Sequence, residues 1–172
     1  MGGYFTNALG FLIHVVFGMA ILIVMLRFIL QLMRADFYNP LSQFIVKATQ
    51  PVLVPMRRVI PGAGGVDVSS IVLLLGLQSL ELIIGKLMGF GIAPRLSFAG
   101  LPVWALAELI ELALFVFIIT LIIRVVMSWF NLGSTNPMTN LLYSINEPLL
   151  RPARRLLPPF SGMDFSPLAV LV

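Results

Sequence analysis

One stretch of this chain occurs twice, and the duplication limits its possible folds more than any other feature. NPLSQFIVKATQPVLVPMRRVIPGAGGVD, residues 39–67, returns as NPMTNLLYSINEPLLRPARRLLPPFSGMD, residues 136–164, without a gap at a shift of 97. Asn39, Pro40, Pro51, Leu53, Pro55, Arg57, Arg58, Pro61, Gly65, Asp67 and Ser69 recur as Asn136, Pro137, Pro148, Leu150, Pro152, Arg154, Arg155, Pro158, Gly162, Asp164 and Ser166. Upstream of the motif, Arg27 recurs as Arg124. So many prolines, glycines and charges in register mark an internal repeat, and each half must build the same unit.

What separates the motifs is apolar. Residues 8–33, 68–90 and 103–129 each carry enough consecutive apolar side chains for a spanning helix, which needs about 20. With 59% hydrophobic and 10% charged residues in 172, the chain falls in the membrane class rather than among soluble domains. The N-terminus has no basic region and no small-residue cleavage site ahead of its apolar run, so it does not read as a cleaved signal peptide. A fourth span begins at Phe165 and is cut short at Val172. The expected architecture is an all-α integral membrane protein of two parallel repeats, residues 1–96 and 97–172. Each repeat holds a spanning helix, a short amphipathic or re-entrant proline-rich motif, and a second spanning helix.

Within the motif the residue types dictate local structure. Asn39 before Pro40 is a helix start: the Asn side chain accepts from free backbone N–H groups, and proline at the first helical position loses no hydrogen bond. Leu41, Phe44, Ile45 and Ala48 follow at helical spacing, matched by Met138, Leu141, Leu142 and Ile145, which predicts a short amphipathic helix in each copy. Pro51 and Pro148 are expected to end it. The following PVLVPMRRVIP and PLLRPARRLLP segments, with Pro55, Pro61, Pro152 and Pro158, are too short to span and too apolar for free loops. They read as interfacial or shallow re-entrant elements. Arg57-Arg58 and Arg154-Arg155 then sit at headgroup level, either contacting anionic lipid or a partner, or marking topology. Asp67 and Asp164 each open a span. They read as N-caps, or as partners of Arg27 and Arg124 in ion pairs within each repeat; one carboxylate has acceptors for both.

The FYNP…TQPVLVPMRRVIP…GVD run and its second copy NEPLLRPARRLLP…GMDFSP resemble the YGGT family of small bacterial and plastid membrane proteins, over nearly the whole chain. That resemblance implies a multi-span membrane protein without an established catalytic activity. Roles suggested for such relatives are tolerance of osmotic stress and ion imbalance, and in photosynthetic lineages cytochrome assembly and nucleoid organisation.

Nine of the eleven Lys and Arg residues lie in or beside the motifs, and only Lys86 and Arg95 fall near the other side. The positive-inside rule then places both motifs in the cytoplasm and the N-terminus outside an inner or plasma membrane. The same asymmetry accounts for the net charge of +4 without nucleic acid as a partner. The expected partners are the bilayer itself, anionic lipid at the Arg-Arg doublets, and other membrane proteins or further copies of the chain.

No cofactor is called for. There is no cysteine and a single histidine, which excludes thiolate chemistry and most zinc sites. Ser69, Ser70 and Ser166 have no histidine on their side of the membrane, and the GAGG run lacks the lysine of a phosphate loop. The chain is therefore not expected to be an enzyme. Charges within spans are costly and usually have a partner or a task. His14, Glu81, Glu108 and Glu111, with Gln78 and Lys86 near, should occupy the outer half of the membrane. Glu108 and Glu111, three apart, share a helix face. The cluster is either a cation- or proton-binding vestibule or a hydrogen-bonded packing patch with Lys86 or His14 as partners. Two functions stay open: a membrane scaffold or interaction protein, which the family resemblance links to osmotic or ion stress tolerance, and a small potassium or proton channel or transporter component. The resemblance adds an assembly factor for membrane complexes such as cytochromes as a further alternative.

Overall fold

The computed structural model describes residues 2–62, 64–91, 93–129 and 137–156, all of them in helices and their connections. Three helices are long and apolar enough to cross a membrane: α1 (Gly2–Leu32), α3 (Val68–Met88) and α4 (Leu101–Trp129). Two more are amphipathic, α2 (Pro40–Val59) and α5 (Pro137–Leu156), one in each repeat. The chain is an all-α integral membrane protein. The fourth span expected from Phe165 lies outside the described residues.

The spanning helices form a bundle in which α3 packs on both α1 and α4, and α1 also touches α4. α2 lies against α1 and α3, and α5 lies against α4. Ile21, Met25 and Ile29 of α1 meet Leu74 of α3 and Leu109 and Val116 of α4 in the main core, which also takes in Ile45, Leu141 and Ile145. A smaller cluster of Leu82, Ala93, Leu101 and Ala105 closes the end away from the motifs. In lipid such contacts are selected by close packing rather than by water exclusion, so small residues matter where backbones meet. At Gly10 a Cβ would stand 2.7 Å from the Phe90 ring carbon Cγ, so only glycine fits where α1 passes the loop after α3. Gly64 and Gly65, both at positive φ, make the turn into α3.

The prolines give the main departure from expectation. Pro51 does not end the motif helix: α2 runs on through Pro51 and Pro55, and α5 runs through Pro148 and Pro152. An interior proline removes one hydrogen bond and crowds the carbonyl four residues back. In α2 those carbonyls belong to Lys47 and Pro51, and Pro51 and Pro55 are themselves exposed. The rings therefore meet no neighbouring helix, and the residues that carry the orphaned carbonyls are not covered by the protein. The motif is one continuous amphipathic helix of 20 residues in each repeat, not a short helix followed by a re-entrant segment.

The two copies bury the same positions. Ser42, Ile45, Thr49 and Leu53 of α2 face the bundle, and Thr139, Leu142, Asn146 and Leu150 of α5 are their equivalents at the 97-residue shift. They differ one stripe over. Phe44 is 66% exposed whereas its equivalent Leu141 is 7% exposed.

Candidate functional site

The motif builds its site from the capped start of α2. Asn39 Oδ1 accepts from Leu41 N at 2.9 Å with Pro40 next in the chain, as the Asn-Pro pair predicts. Beneath that helix lies Arg27, 5% exposed. Its Nη1 donates to the Val46 carbonyl at 3.0 Å and to Thr49 Oγ1 at 2.6 Å. A buried guanidinium is costly unless its donors are satisfied, and here α2 supplies the acceptors. Arg27 is thus a clamp between a spanning helix and its surface helix. It makes no direct ion pair with Asp67, the expected partner, whose charge reaches it only at a distance.

Asp67 has another partner, for a reason already given: α2 continues past its prolines and carries Arg57 to it. Arg57 Nη2 pairs with Asp67 Oδ2, and Arg57 Nε donates to Oδ1 at 3.4 Å. Ser70 Oγ donates to Oδ2 at 2.7 Å. Asp67 stands at the N-cap position of α3, where its carboxylate is held mainly by these side chains. Ser69 Oγ donates to the Ile60 carbonyl at 2.8 Å, a second stitch between the end of α2 and the start of α3. Burial alone would raise the Asp67 pKa; the Arg57 and Ser70 hydrogen bonds and the Arg57 charge outweigh it and hold the carboxyl below its ordinary range. Arg58, next door, is exposed.

The second repeat uses the same position differently. Arg124, 4% exposed, lies 4.1 Å from the Tyr143 ring centroid, and its Nη2 approaches Glu147 Oε2 at 3.5 Å. Tyr143 and Glu147 are the equivalents of Val46 and Gln50. Thr120 Oγ1 and Asn146 Oδ1 lie 3.1 Å apart beside it. The pairing of Arg124 with Asp164 lies outside the described residues, as do Asn136, Pro158 and the side chains of Pro137, Arg154 and Arg155.

At the opposite end of the bundle, three helices contribute one polar cluster. His14 Nδ1 of α1 is 2.6 Å from Glu81 Oε1 of α3. Gln78 Nε2 donates to Glu81 Oε2 at 3.3 Å and also to Glu108 Oε2 of α4. Trp104 Nε1 donates to Glu108 Oε1 at 2.8 Å. Asn7, Phe11 and Phe90 join His14, Glu81 and Glu108 around an open cavity of about 340 Å³. The structure brings His14, Glu81 and Glu108 together by hydrogen bonds; Glu111 is exposed and lines a groove along α4 that also includes Glu108, without a hydrogen bond to the cluster. Lys86 does not pair with the carboxylates either. Its Nζ donates to the Leu96 carbonyl and lies 5.0 Å from the Phe98 ring centroid. Trp104, which the sequence reading leaves out of the cluster, is also a hydrogen-bond donor to it; its spacing of four from Glu108 on one helix is the available signal. Among the described residues no group of three or more metal-ligating side chains could hold an ion. Chemically the cluster can tie three helices together or exchange a proton at His14, whose side chain is 71% exposed.

The CCB3/YggT family model matches residues 6–88 and 103–172, two segments whose starts lie 97 apart (103 − 6), the period of the repeat. Among similar proteins, an uncharacterized protein of Pseudomonas aeruginosa is 50% identical over 86% of this chain and 75% of its own length. Uncharacterized protein YggT of Escherichia coli strain K12 is 38% identical over 96% of this chain and 85% of its own length. An uncharacterized protein of Vibrio alginolyticus is 37% identical over 96% of this chain and 89% of its own. No solved structure matches. A repeat of this period, seated in a bundle of spanning helices and recognised at both copies, means that the chain belongs to the CCB3/YggT family.

Proposed function

We propose that the protein is a non-enzymatic membrane scaffold of the plasma membrane that supports tolerance of osmotic or ionic stress. The reading rests on the separation of its two polar regions. Between the His14–Glu81–Glu108 cluster and the Arg27 and Arg57–Asp67 network lies an apolar core of Ile21, Met25, Leu74, Leu109 and Val116. An ion crossing one copy of the chain would have to pass that core without a polar ligand, and charge in such surroundings is costly. The three-helix polar cluster then serves packing, and the motif end, where each repeat holds a surface helix, carries the contacts. Ser69 and Ser70 are committed to the Asp67 end while the only histidine belongs to the other, which speaks against hydrolytic chemistry.

Reconstituted into liposomes under a potassium or proton gradient, the purified protein should dissipate neither faster than protein-free vesicles do. Protein-dependent flux abolished by changing Glu81 and Glu108 together to Gln would replace the scaffold by a conductor.

The motif end faces the cytoplasm in this reading, supported by the nine basic residues beside the motifs against two near the other end. The chain has no cysteine, so single-cysteine variants need no background removal. Tyr4→Cys and Gln43→Cys both place a thiol at an exposed position. An impermeant thiol reagent should label Tyr4→Cys in intact cells and Gln43→Cys only after lysis; the opposite pattern would invert the topology.

A further inference from the structure

The exposed surface of α2 divides into two unlike stripes. With about 100° between successive residues, Ser42, Ile45, Thr49 and Leu53 point at the bundle, and these are the buried positions. About a third of a turn to one side run Leu41, Phe44, Ala48, Val52, Pro55 and Val59, all exposed. About a third of a turn to the other side run Gln43, Lys47, Gln50, Val54 and Arg58, also exposed, a stripe that is polar but for Val54. Arg57 lies near this second stripe but is taken by Asp67.

We infer that this two-striped face of α2 docks on an anionic lipid leaflet, with the Phe44 stripe among the acyl chains and Lys47 and Arg58 on the headgroups. The inference deepens the scaffold reading by naming the partner of its motif end. Apolar and basic stripes set side by side along a helix are the pattern of an interfacial segment, and cations there favour anionic headgroups. The prolines agree with a shallow seat. The carbonyls of Lys47 and Pro51 have lost their helical donors and need water, which the headgroup layer holds and the hydrocarbon does not. The comparison with the second repeat shows that the surface is particular to α2: the equivalents of Phe44 and Ala48 are Leu141 and Ile145, at 7% and 2% exposure, already covered by the bundle.

The test uses the full chain in vesicles. A nitroxide on Phe44→Cys should be reached by oxygen in preference to a water-soluble nickel chelate, and one on Gln43→Cys should show the reverse preference. A nitroxide at position 44 shielded from both would mean that protein, a second copy or another part of the chain, covers the stripe; one open to nickel would put it in water. Either overturns the inference. For the charge half, a fluorophore on Gln50→Cys reports local lipid through quenching by spin-labelled phosphatidylglycerol or phosphatidylcholine. Two cations near the surface should favour the anionic lipid by roughly tenfold to thirtyfold at low salt. The preference should fall to about one with Lys47→Gln and Arg58→Gln together, and an equal preference in the unmodified basic stripe overturns the anionic assignment. Both readouts are independent of ion flux, so a protein that conducted would sink the scaffold reading and leave this one standing.

Discussion

Arg27→Ala should release α2 from the bundle and lower stability by about 3 kcal/mol, because hydrogen bonds from a charged donor contribute roughly 1.5–3 kcal/mol each. Arg27 makes two of them, to the Val46 carbonyl and to Thr49 Oγ1, at 5% exposure. Thr49 keeps a separate bond, from its hydroxyl to the Ile45 carbonyl at 2.7 Å, so its side chain is not orphaned by the change. Arg27→Lys should recover part of the loss, since both bonds leave one nitrogen, which an ammonium can imitate, although the shorter side chain reaches less far. The expected readouts are a lower melting temperature in detergent and faster proteolysis after Lys47, the signature of a loosened surface helix. A double-mutant cycle with Thr49→Val should show coupling of about 1–2 kcal/mol, as expected for residues in direct contact. The cycle with Asp67→Asn should show weaker coupling than the one with Thr49, because Asp67 bonds to Arg57 and acts on Arg27 through its charge alone. An Arg27→Ala protein that melts with the parent and resists protease equally would mean that Arg27 does not hold α2 on the bundle.

The repeat made much of the architecture legible. A period of 97 with Arg, Asn-Pro and Asp in register identifies one unit used twice, and runs of apolar side chains give the three described spans to within a few residues. What the sequence left open turned on Pro51. Proline is the strongest local stop signal, and the expectation that α2 ends there is sound for a helix buried on all sides. It fails because the ring sits on the exposed face, a fact of tertiary placement that one strand of sequence does not contain. The error then propagates. A helix ending at Pro51 leaves Arg57 free and makes Arg27 the natural partner for Asp67, whereas a helix running to Val59 delivers Arg57 to Asp67; Val46 and Thr49, which hold Arg27, precede Pro51. At the other end of the bundle depth alone brings His14, Glu81 and Glu108 together, since residues at one depth on adjacent spans can meet. Which of Glu108 and Glu111 faces inward depends on the rotation of α4, which a helix apolar all round does not encode. The structure points Glu108 at Gln78 and leaves Glu111 outside.

Arg57 and Asp67 should prove unequal when removed one at a time. The Asp67 side chain is 3% exposed and the Arg57 side chain 38% exposed. Losing the arginine strands a carboxylate away from water, which costs about 3 kcal/mol for a buried pair and somewhat less where one partner reaches solvent. Losing the carboxylate as Asp67→Asn leaves an arginine that can turn outward, and should cost about 1 kcal/mol. Asp67→Asn should therefore rescue Arg57→Ala, restoring most of its melting temperature, because the amide removes the stranded charge and keeps an acceptor for Ser70. The pH dependence carries the same signature. In the parent protein the folded-state pKa of Asp67 lies below its ordinary value, so the pair's contribution is complete above that value and is lost as the pH falls through the folded one. Stability should thus be flat through neutral pH and decline only below about pH 4, the ordinary aspartate range. In Arg57→Ala, burial becomes the main influence on the carboxyl and pushes its pKa up, so the folded state takes up the proton first and mild acid should stabilise the variant. Melting curves from pH 7 down to about pH 4 in detergent would separate the two. If Arg57→Ala and the parent decline together on acidification, and Asp67→Asn brings no rescue, the junction of α2 with α3 is held by Ser69 and the glycine turn instead.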